Sequence, residues 1–574
     1  MPEETVCLRI KFFTHEETVC FGFFSHRYFI FLNSSGSPDM TPGVTIKEKS
    51  ESRIIRIASR GSDLALWQAH FVQAQLQEID IASEIIIYKT QGDIVQHLSL
   101  DKLEGKGFFT KEIEEALLKG EADLAVHSHK DLPTVSPEGL VIAAVSYREN
   151  PKELVLIRKE SVDVKRKFRF KKNAVVGTSS GRRKAQLLAF RPDIELKDLR
   201  GNVPTRIQKL RDGQYDAIFL AAAGVERLKI NLEGLHSEEI DAHEFVPAPA
   251  QGVLALQTRE NDYPLIAALQ KIHHADVQEC IAVERKILNL FEGGCHMPLG
   301  AYCEEEEGTF KVWTAMADEW NTPLRILYTE TRKPETIAEK IVEKLRSIKA
   351  GSVYITRDLR DDDFFFNVLK QNSCEVYGRA LIEIKRIPLK IIPDADWVFF
   401  SSKHAVRHFL GQTKLKPGMK IAAVGKATSD ELRKFNMRAD FIGGGNDTRI
   451  TAKQFGAVAG RSKVLFPQAK GSLKTVQQQL STATIVDLVV YETIQRPADD
   501  LPETDVLVFT SPSNLEAFLE KKKILKHQKI VAMGHATGNT LKEKGFLSFY
   551  SPATFDDAGL AQSVFNCLSI LREG

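Results

Sequence analysis

Two stretches of the chain repeat each other at a fixed distance, and no other feature limits the possible folds so sharply. DWVFFSSKHAVRHFL (396–410) aligns without gaps to DVLVFTSPSNLEAFL (505–519), an offset of 109 residues. The same offset aligns KIAAVGKAT (420–428) with KIVAMGHAT (529–537). In each copy of the longer block an apolar, aromatic run meets small hydroxyl residues and then an apolar pattern at helical spacing. That describes a buried strand, a polar turn and an amphipathic helix. One offset held across both blocks calls for two similar strand–helix–strand lobes, each a small doubly wound sheet.

The earlier part of the chain alternates short β-branched runs with helical ones, again the signature of α/β layers. RIIRIAS reads as a strand, after which Ser62 or Asp63 caps a helix through LALWQAHFVQAQLQE. NAVVGTSSGRRKAQLLAF reads as strand, polar loop and helix, and Asn202 is placed to cap a helix with Pro204 in its first turn. After about residue 265 the pattern changes to a smaller α+β unit. A chain of 574 residues exceeds what one core supports, so several domains are expected. Residues 1–52 are expected to be a disordered extension, or the product of a start called too early with Met40 as the true one. EETVC occurs there twice, and the apolar run CFGFFSHRYFIFL is too short to span a bilayer.

Formal charge is nearly balanced at +2, so no global field argues for a nucleic-acid or membrane partner. Any preference for anions must come from local arginine placement. Seven cysteines at irregular spacing are not a disulfide framework and point to a reducing compartment, the cytoplasm. Cys280, Cys295 and Cys303 with His296 fit no common zinc spacing, so no metal is expected. Cys295, in FEGGCHMPLG, leaves three readings open: a buried small residue, a metal ligand or a reactive thiolate.

Ligands of open α/β sheets bind beyond the carboxyl ends of strands. There the sequence places Arg60 with Ser62; His127, Ser128, Lys130 and Asp131; Ser180 with Arg182 and Arg183; and Arg200, Arg206 and Arg227. Lys102, Lys106 and Lys111 surround the KGFFTK turn, which carries Phe109. One arginine after a strand is ordinarily a solvated surface residue. Six of them beside helix N-termini describe a cleft for a polyanion. No Walker sequence or G-x-G-x-x-G lies near them, and bidentate guanidinium pairing suits a ligand with several carboxylates. Asp131 stands as an acid among these cations. It is either a structural ion-pair partner or a carboxylate that stabilises a cation developing on substrate.

ASRGSDLALWQA, KGFFTKEIEEALL, ADLAVHSHKDLP, VGTSSGRRKAQL, LRGNVPTRI, YDAIFLAAAGVERL, PAPAQG and EGGCHMPLGA, in unbroken order over roughly 53–350, resemble the porphobilinogen deaminase (hydroxymethylbilane synthase) family. The resemblance implies that four porphobilinogens are condensed with loss of ammonia into hydroxymethylbilane. It also implies a dipyrromethane cofactor, self-assembled from porphobilinogen and thioether-linked to Cys295. Asp131 matches the family's catalytic aspartate, stabilising the cationic azafulvene left by ammonia. Cofactor contacts fall on Arg60, Ser62, Lys106, Lys130, Ser180, Arg182 and Arg183. Substrate contacts fall on Arg60, Lys102, Phe109, Arg200, Arg206 and Arg227. His129, Pro204 and Ala250 depart from the usual pattern, which bears on loop geometry and removes no charged group.

Residues 351–574 resemble uroporphyrinogen-III synthases through VYETI, VLVFTSPSNLEAFL, IVAMGHATGNTLKEKG and the repeat. This implies closure of the bilane with inversion of its last ring, and it makes the chain bifunctional in tetrapyrrole (haem) synthesis. Tyr491 matches the tyrosine suggested to assist loss of the hydroxyl, although a tyrosine in LVVYETI also reads as a packed strand residue. Ser401, Ser402, Thr510, Ser511 and Thr537 are the binding candidates. The implied fold is α/β throughout. Two doubly wound, periplasmic-binding-protein-like domains (53–148 with 245–265, and 149–244) join a small cofactor-bearing α+β domain (266–350). Two flavodoxin-like lobes follow (351–384 with 495–574, and 385–494). A monomer acting on small molecules is expected. The competing readings are an active deaminase with a non-catalytic C-terminal domain, and a non-catalytic anion-binding protein.

Overall fold

The computed structural model describes the backbone of 6–12, 15–24 and 27–31, and residues 53–90, 110–292, 297–444 and 448–569. Val6–Phe12, His15–Phe24 and Arg27–Phe31 form an antiparallel three-stranded sheet. The β-branched and aromatic runs there supply the paired strands. These residues form a unit separate from 54–574.

The second unit is mixed α/β. Its first sheet has the order Ser83–Tyr88, Ile55–Arg60, Leu124–Ser128, Leu254–Arg259, Leu140–Val145, with Leu254–Arg259 antiparallel to both neighbours. Its second runs Glu195–Lys197, Val175–Gly177, Ala217–Ala221, Glu153–Arg158, Leu235–Ile240. There Glu153–Arg158 is the antiparallel member. The chain therefore crosses between these sheets twice, once near 146–152 and once through 241–253. The second crossing is tight. Gly252 sits at φ 91°, where a Cβ would lie 2.2 Å from the Glu149 carbonyl oxygen. Ala250, one of the departures noted above, adopts φ 60°. It tolerates this left-handed conformation because its N–H donates to the buried Glu284 carboxylate at 2.6 Å.

Leu299–Glu306, Thr309–Met316 and Arg325–Thr331 form an antiparallel meander, packed by helices Ala275–Leu290 and Ile337–Ser347. Beyond residue 351 there are two more sheets. One is all parallel, in the order Glu375–Gly378, Ser352–Ile355, Val506–Phe509, Lys529–Ala532. The other runs Ile382–Arg386, Thr484–Gln495, Lys463–Ala469, Trp397–Phe400, Lys420–Ala423, Phe441–Ile442, with only Ile382–Arg386 antiparallel. The repeated blocks fall on equivalent strands and helices of these two sheets. Ser402 and Ser511, 109 residues apart, each cap the helix that follows, accepting from the N–H of Ala405 and Asn514. Among the described residues no helix is long and apolar enough to cross a membrane.

Candidate active site

A cavity of about 820 Å³ opens between the first two sheets. Each wall is built as the strand-end argument requires. Arg60 ends strand Ile55–Arg60, and Ser62 caps helix Asp63–Glu78 by accepting from the Ala65 N–H. Strand Leu124–Ser128 runs into a single 3-10 turn, His129–Asp131, which delivers Lys130 and Asp131. Opposite them, Asn202 caps helix Val203–Arg211 with Pro204 in its first turn, placing Arg206. Arg227 closes the short helix Ala222–Arg227.

Among the described lining residues Asp131 is the one carboxylate, facing Arg60, Lys89, Lys130, Arg183, Arg200, Arg206 and Arg227. Burial and crowding of like charge both act on these cations. Burial, and then the neighbouring charges of Arg183 and Arg200, lower Arg206 to about 10. Burial likewise lowers Lys130 to about 8, although Asp131 beside it acts in the opposite direction. Lys130 Nζ also donates to Gln251 at 3.2 Å. Arg227 is buried, lies over the Trp67 ring at 5.4 Å and donates to the Gly252 carbonyl at 2.7 Å. Its Nε has no hydrogen-bond partner among the described residues. A buried guanidinium N–H left unused at the wall of a cationic cavity fits a polycarboxylate ligand.

Arg183 and Arg182 part company. Arg183 reaches the cavity wall, whereas Arg182 and Ser180 do not line it. Arg182 donates to Glu153 at 2.6 Å and to the Val246 carbonyl at 2.9 Å, and Ser180 caps helix Gly181–Phe190. Glu153, fully buried, also takes Arg183 Nε at 2.9 Å and Gln251 Nε2 at 3.2 Å. Burial alone would raise its carboxyl; the charges of Arg183, Arg182 and Lys130 outweigh burial and hold it down to about 2. The sequence reading missed Glu153, Gln251, Tyr88 and Lys89. Tyr88 and Lys89 follow strand Ser83–Tyr88, so the same strand-end rule would have found them. Cys295, His296, Lys102, Lys106 and Phe109 lie outside the described residues.

Behind the Asp131 turn lies helix Ala275–Leu290. Its Arg285 donates to the carbonyls of His129 (3.0 Å), Leu132 (3.4 Å) and Pro133. The preceding Glu284 accepts from Arg148 (2.6 Å) and from the N–H groups of Ala250 and Cys303. One helix turn thus fastens the acid-bearing turn, the inter-sheet crossing and the meander.

In the C-terminal half Tyr491 and Ser402 come together, hydroxyl to hydroxyl at 3.3 Å. Burial raises the phenol, with Ser402 acting against it. His404 and His408 flank its ring at 6.0 and 5.4 Å. Burial, then Lys403 and Arg407, hold His404 down to about 4. Lys403 in turn lies within electrostatic reach of Arg357, just past strand Ser352–Ile355, and of Asp557, at the head of helix Asp557–Leu568. Ser401 is exposed beside them. The remaining candidates are occupied: Thr510 exchanges hydrogen bonds with Thr356, Ser511 caps its helix, and buried Thr537 donates to the Met533 carbonyl at 2.8 Å. Arg357, Lys403 and His404 escaped the sequence reading because the family resemblance there rests on few motifs.

Residues 55–267 match the family model described as "Porphobilinogen deaminase, dipyromethane cofactor binding domain". Residues 363–562 match "Uroporphyrinogen-III synthase HemD". A porphobilinogen deaminase of Sulfurimonas denitrificans is 43% identical over 260 residues, which is 45% of this chain and 81% of that protein. Among solved structures, a uroporphyrinogen-III synthetase from Helicobacter pylori is 19% identical, covering 37% of this chain and 98% of its own at a TM-score of 0.30. A mutant uroporphyrinogen III synthase from Thermus thermophilus is 16% identical, covering 38% and 99%, at 0.28. With that N-terminal match and that relative, the chain belongs to the porphobilinogen deaminase family, and it carries a uroporphyrinogen-III synthase HemD region behind it.

Proposed function

We propose that this chain condenses four porphobilinogens into hydroxymethylbilane with release of ammonia, then closes the bilane to uroporphyrinogen III with inversion of the last ring. The observation that carries the first step is that, among the described residues, a single carboxylate, Asp131, faces seven cationic side chains across one cavity. Each porphobilinogen brings two carboxylates, so the cations suit the charge that accumulates as the chain lengthens. Asp131 is placed to accept the pyrrole N–H and to stabilise the positive charge left when ammonia departs. It also serves the proton transfers that accompany each new carbon–carbon bond.

The unused Arg227 Nε and the arginine-lined volume fit a dipyrromethane. Cys295 would hold it by a thioether, and Arg60, Ser62, Lys106, Lys130 and Arg183 would hold its carboxylates. When bound, the group supplies the pyrrole end to which substrate is added. Arg182 and Ser180 support this grip from beneath, through Glu153 and the helix cap. Arg200, Arg206 and Arg227, with Lys102 and Phe109, take the incoming substrate. In the second half, Tyr491 with Ser402 assists loss of the hydroxyl, and Ser401, Lys403 and Arg357 bind carboxylates between the lobes. Thr510, Ser511 and Thr537 hold the turns that frame that cleft. We assign residues 53–148 with 245–265, 149–244 and 266–350 to three deaminase domains. Residues 351–384 with 495–574 and 385–494 form the two lobes of the synthase. The first two domains are of the periplasmic-binding-protein type and the lobes of the flavodoxin type.

The test is the product made from porphobilinogen by the purified chain. Type III uroporphyrinogen is expected, and an intact mass raised by two linked pyrrole units that Cys295→Ser loses. An unmodified mass on active protein overturns the deaminase assignment. Exclusively type I product overturns the synthase assignment alone.

A further inference from the structure

The two lobes of the C-terminal half are held to the N-terminal half by different physics. The lobe built on Ser352–Ile355 is joined through a shared apolar core. Phe365, Val368 and Phe565 belong to one buried cluster with Trp313 and Ile326, and the Phe364 ring stacks on Phe190 at 3.9 Å. Asn566 Nδ2 adds a hydrogen bond to the Tyr328 carbonyl at 2.7 Å. The Tyr491 lobe shares no such core. Its buried clusters, around Phe400 and Phe399, draw on residues 384–491 alone. What fastens it to the N-terminal half is polar, and it centres on helix Lys426–Arg433. Lys426 pairs with Asp241 at 3.4 Å and Asp430 with Arg169 at 3.7 Å. Asp241 is itself fixed by accepting from His243 Nδ1 at 2.9 Å.

An apolar core separates only at the cost of exposing its whole surface, whereas part-exposed ion pairs such as these are weaker and are screened by salt. The lobe bearing Tyr491 is therefore the one free to swing, and the ion pairs set its angle against the fixed lobe. We propose that Asp241 and Arg169, residues of the deaminase half, are positioning residues for the synthase reaction: they latch helix Lys426–Arg433 so that Tyr491 and Lys403 face the fixed lobe across a closed cleft. The inference rests on the proposed function of the second half. It also assigns the first half a structural part in the second reaction.

The test uses the full-length holoenzyme and the double variant Lys426→Ala/Asp430→Ala, whose side chains lie outside both sites. Deaminase turnover is expected to stay at the wild-type rate. With hydroxymethylbilane supplied directly, kcat for type III product is expected to fall roughly three- to tenfold with a smaller change in KM, while type I product rises. Raising salt from about 50 to 500 mM should impose the same loss of kcat on the wild type and leave the variant's kcat unmoved, while KM rises in both. The charge exchange Asp241→Lys/Lys426→Asp should recover part of the loss seen in Lys426→Asp alone. Unchanged kcat and KM in the double variant, or equal salt sensitivity of kcat in both proteins, overturns the latch. Should the wild type make no type III product, the functional reading fails instead. The latch is then judged by dipolar distance measurements between non-cysteine labels at Lys453 and Lys523. A broadened distribution in the double variant supports it, and an unchanged one overturns it.

Discussion

Glu153→Gln separates the stability of the cationic cavity from its chemistry. The side chain is fully buried and holds Arg182 and Arg183 at 2.6 and 2.9 Å. Its carboxyl sits at about 2 instead of the ordinary 4.5. At about 1.36 kcal/mol per tenfold change in acidity, that displacement corresponds to about 3 kcal/mol of folded-state preference for the anion. Removing one partner of a buried pair costs about 3–5 kcal/mol in general, because the surviving charges are left uncompensated. Glutamine keeps one acceptor oxygen, so Glu153→Gln should lose about 2–3 kcal/mol and Glu153→Ala more. The sign follows from a lowered carboxyl: the contribution is complete above about 4.5 and disappears as pH falls through about 2. Urea unfolding followed by near-ultraviolet circular dichroism at pH 7 and at pH 4 measures the difference, which should shrink at the lower value. With its anchor weakened, Arg183 drifts from the wall, and deaminase kcat/KM should fall at least about tenfold. If both variants unfold within about 0.5 kcal/mol of wild type and keep kcat/KM within about twofold, Glu153 does not organise the site.

Four further outcomes are expected. Gly252→Ala places a Cβ 2.2 Å from the Glu149 carbonyl oxygen at φ 91°, and should cost at least about 2 kcal/mol in thermal unfolding along with much of the deaminase activity. Arg285→Leu frees the carbonyls of the Asp131 turn; kcat should drop with the mass of the bound cofactor retained, and Arg285→Lys should restore part of it. Burial opposes protonation of His243, but its bonds to Asp241 and Glu304 prevail and raise it to about 9. The stability it contributes is complete below about 6.5 and is lost as pH rises through 9, so the melting temperature should step down there in wild type and not in His243→Gln. Tyr491→Phe removes the hydroxyl that meets Ser402 at 3.3 Å and should shift product from type III toward type I, read by chromatography of the oxidised porphyrins.

Local signals in the sequence carried far because they were backbone signals. Ser62 and Asn202 read as caps and serve as caps, since a hydroxyl or amide before an apolar helical pattern has one favourable use; Ser180, Ser402 and Ser511, read only as polar-turn residues, cap their helices as well. The strand-end rule found Arg60, Asp131, Arg206 and Arg227 in one cavity. It did not separate Arg182 from Arg183, adjacent in sequence but turned by one helical step, because the buried anion that sorts them comes from a strand thirty residues earlier. Glu153 carried no signal of its own: at the head of ELVLIR it looks like any acid entering a strand. Thr537 carries a local bond that its sequence did not announce. Its place in the repeat suggested a ligand contact, but its hydroxyl is folded back onto the backbone one turn earlier.

The helix Asp557–Leu568 gives the shared core an order of assembly. Its Asn566 bonds to Tyr328, 238 residues earlier, and its Phe565 is buried in the same cluster as Trp313. A chain made from its N-terminus outward emerges with strand Arg325–Thr331 long before the helix that covers it. Through that interval the deaminase half presents an uncovered apolar face, at the stage when newly made chains are most prone to associate. Translation stalled within the last lobe would therefore leave the first half with catalytic residues in place and a sticky flank, a target for chaperones or proteases. For this protein the synthase serves as the deaminase's cover as well as its neighbour.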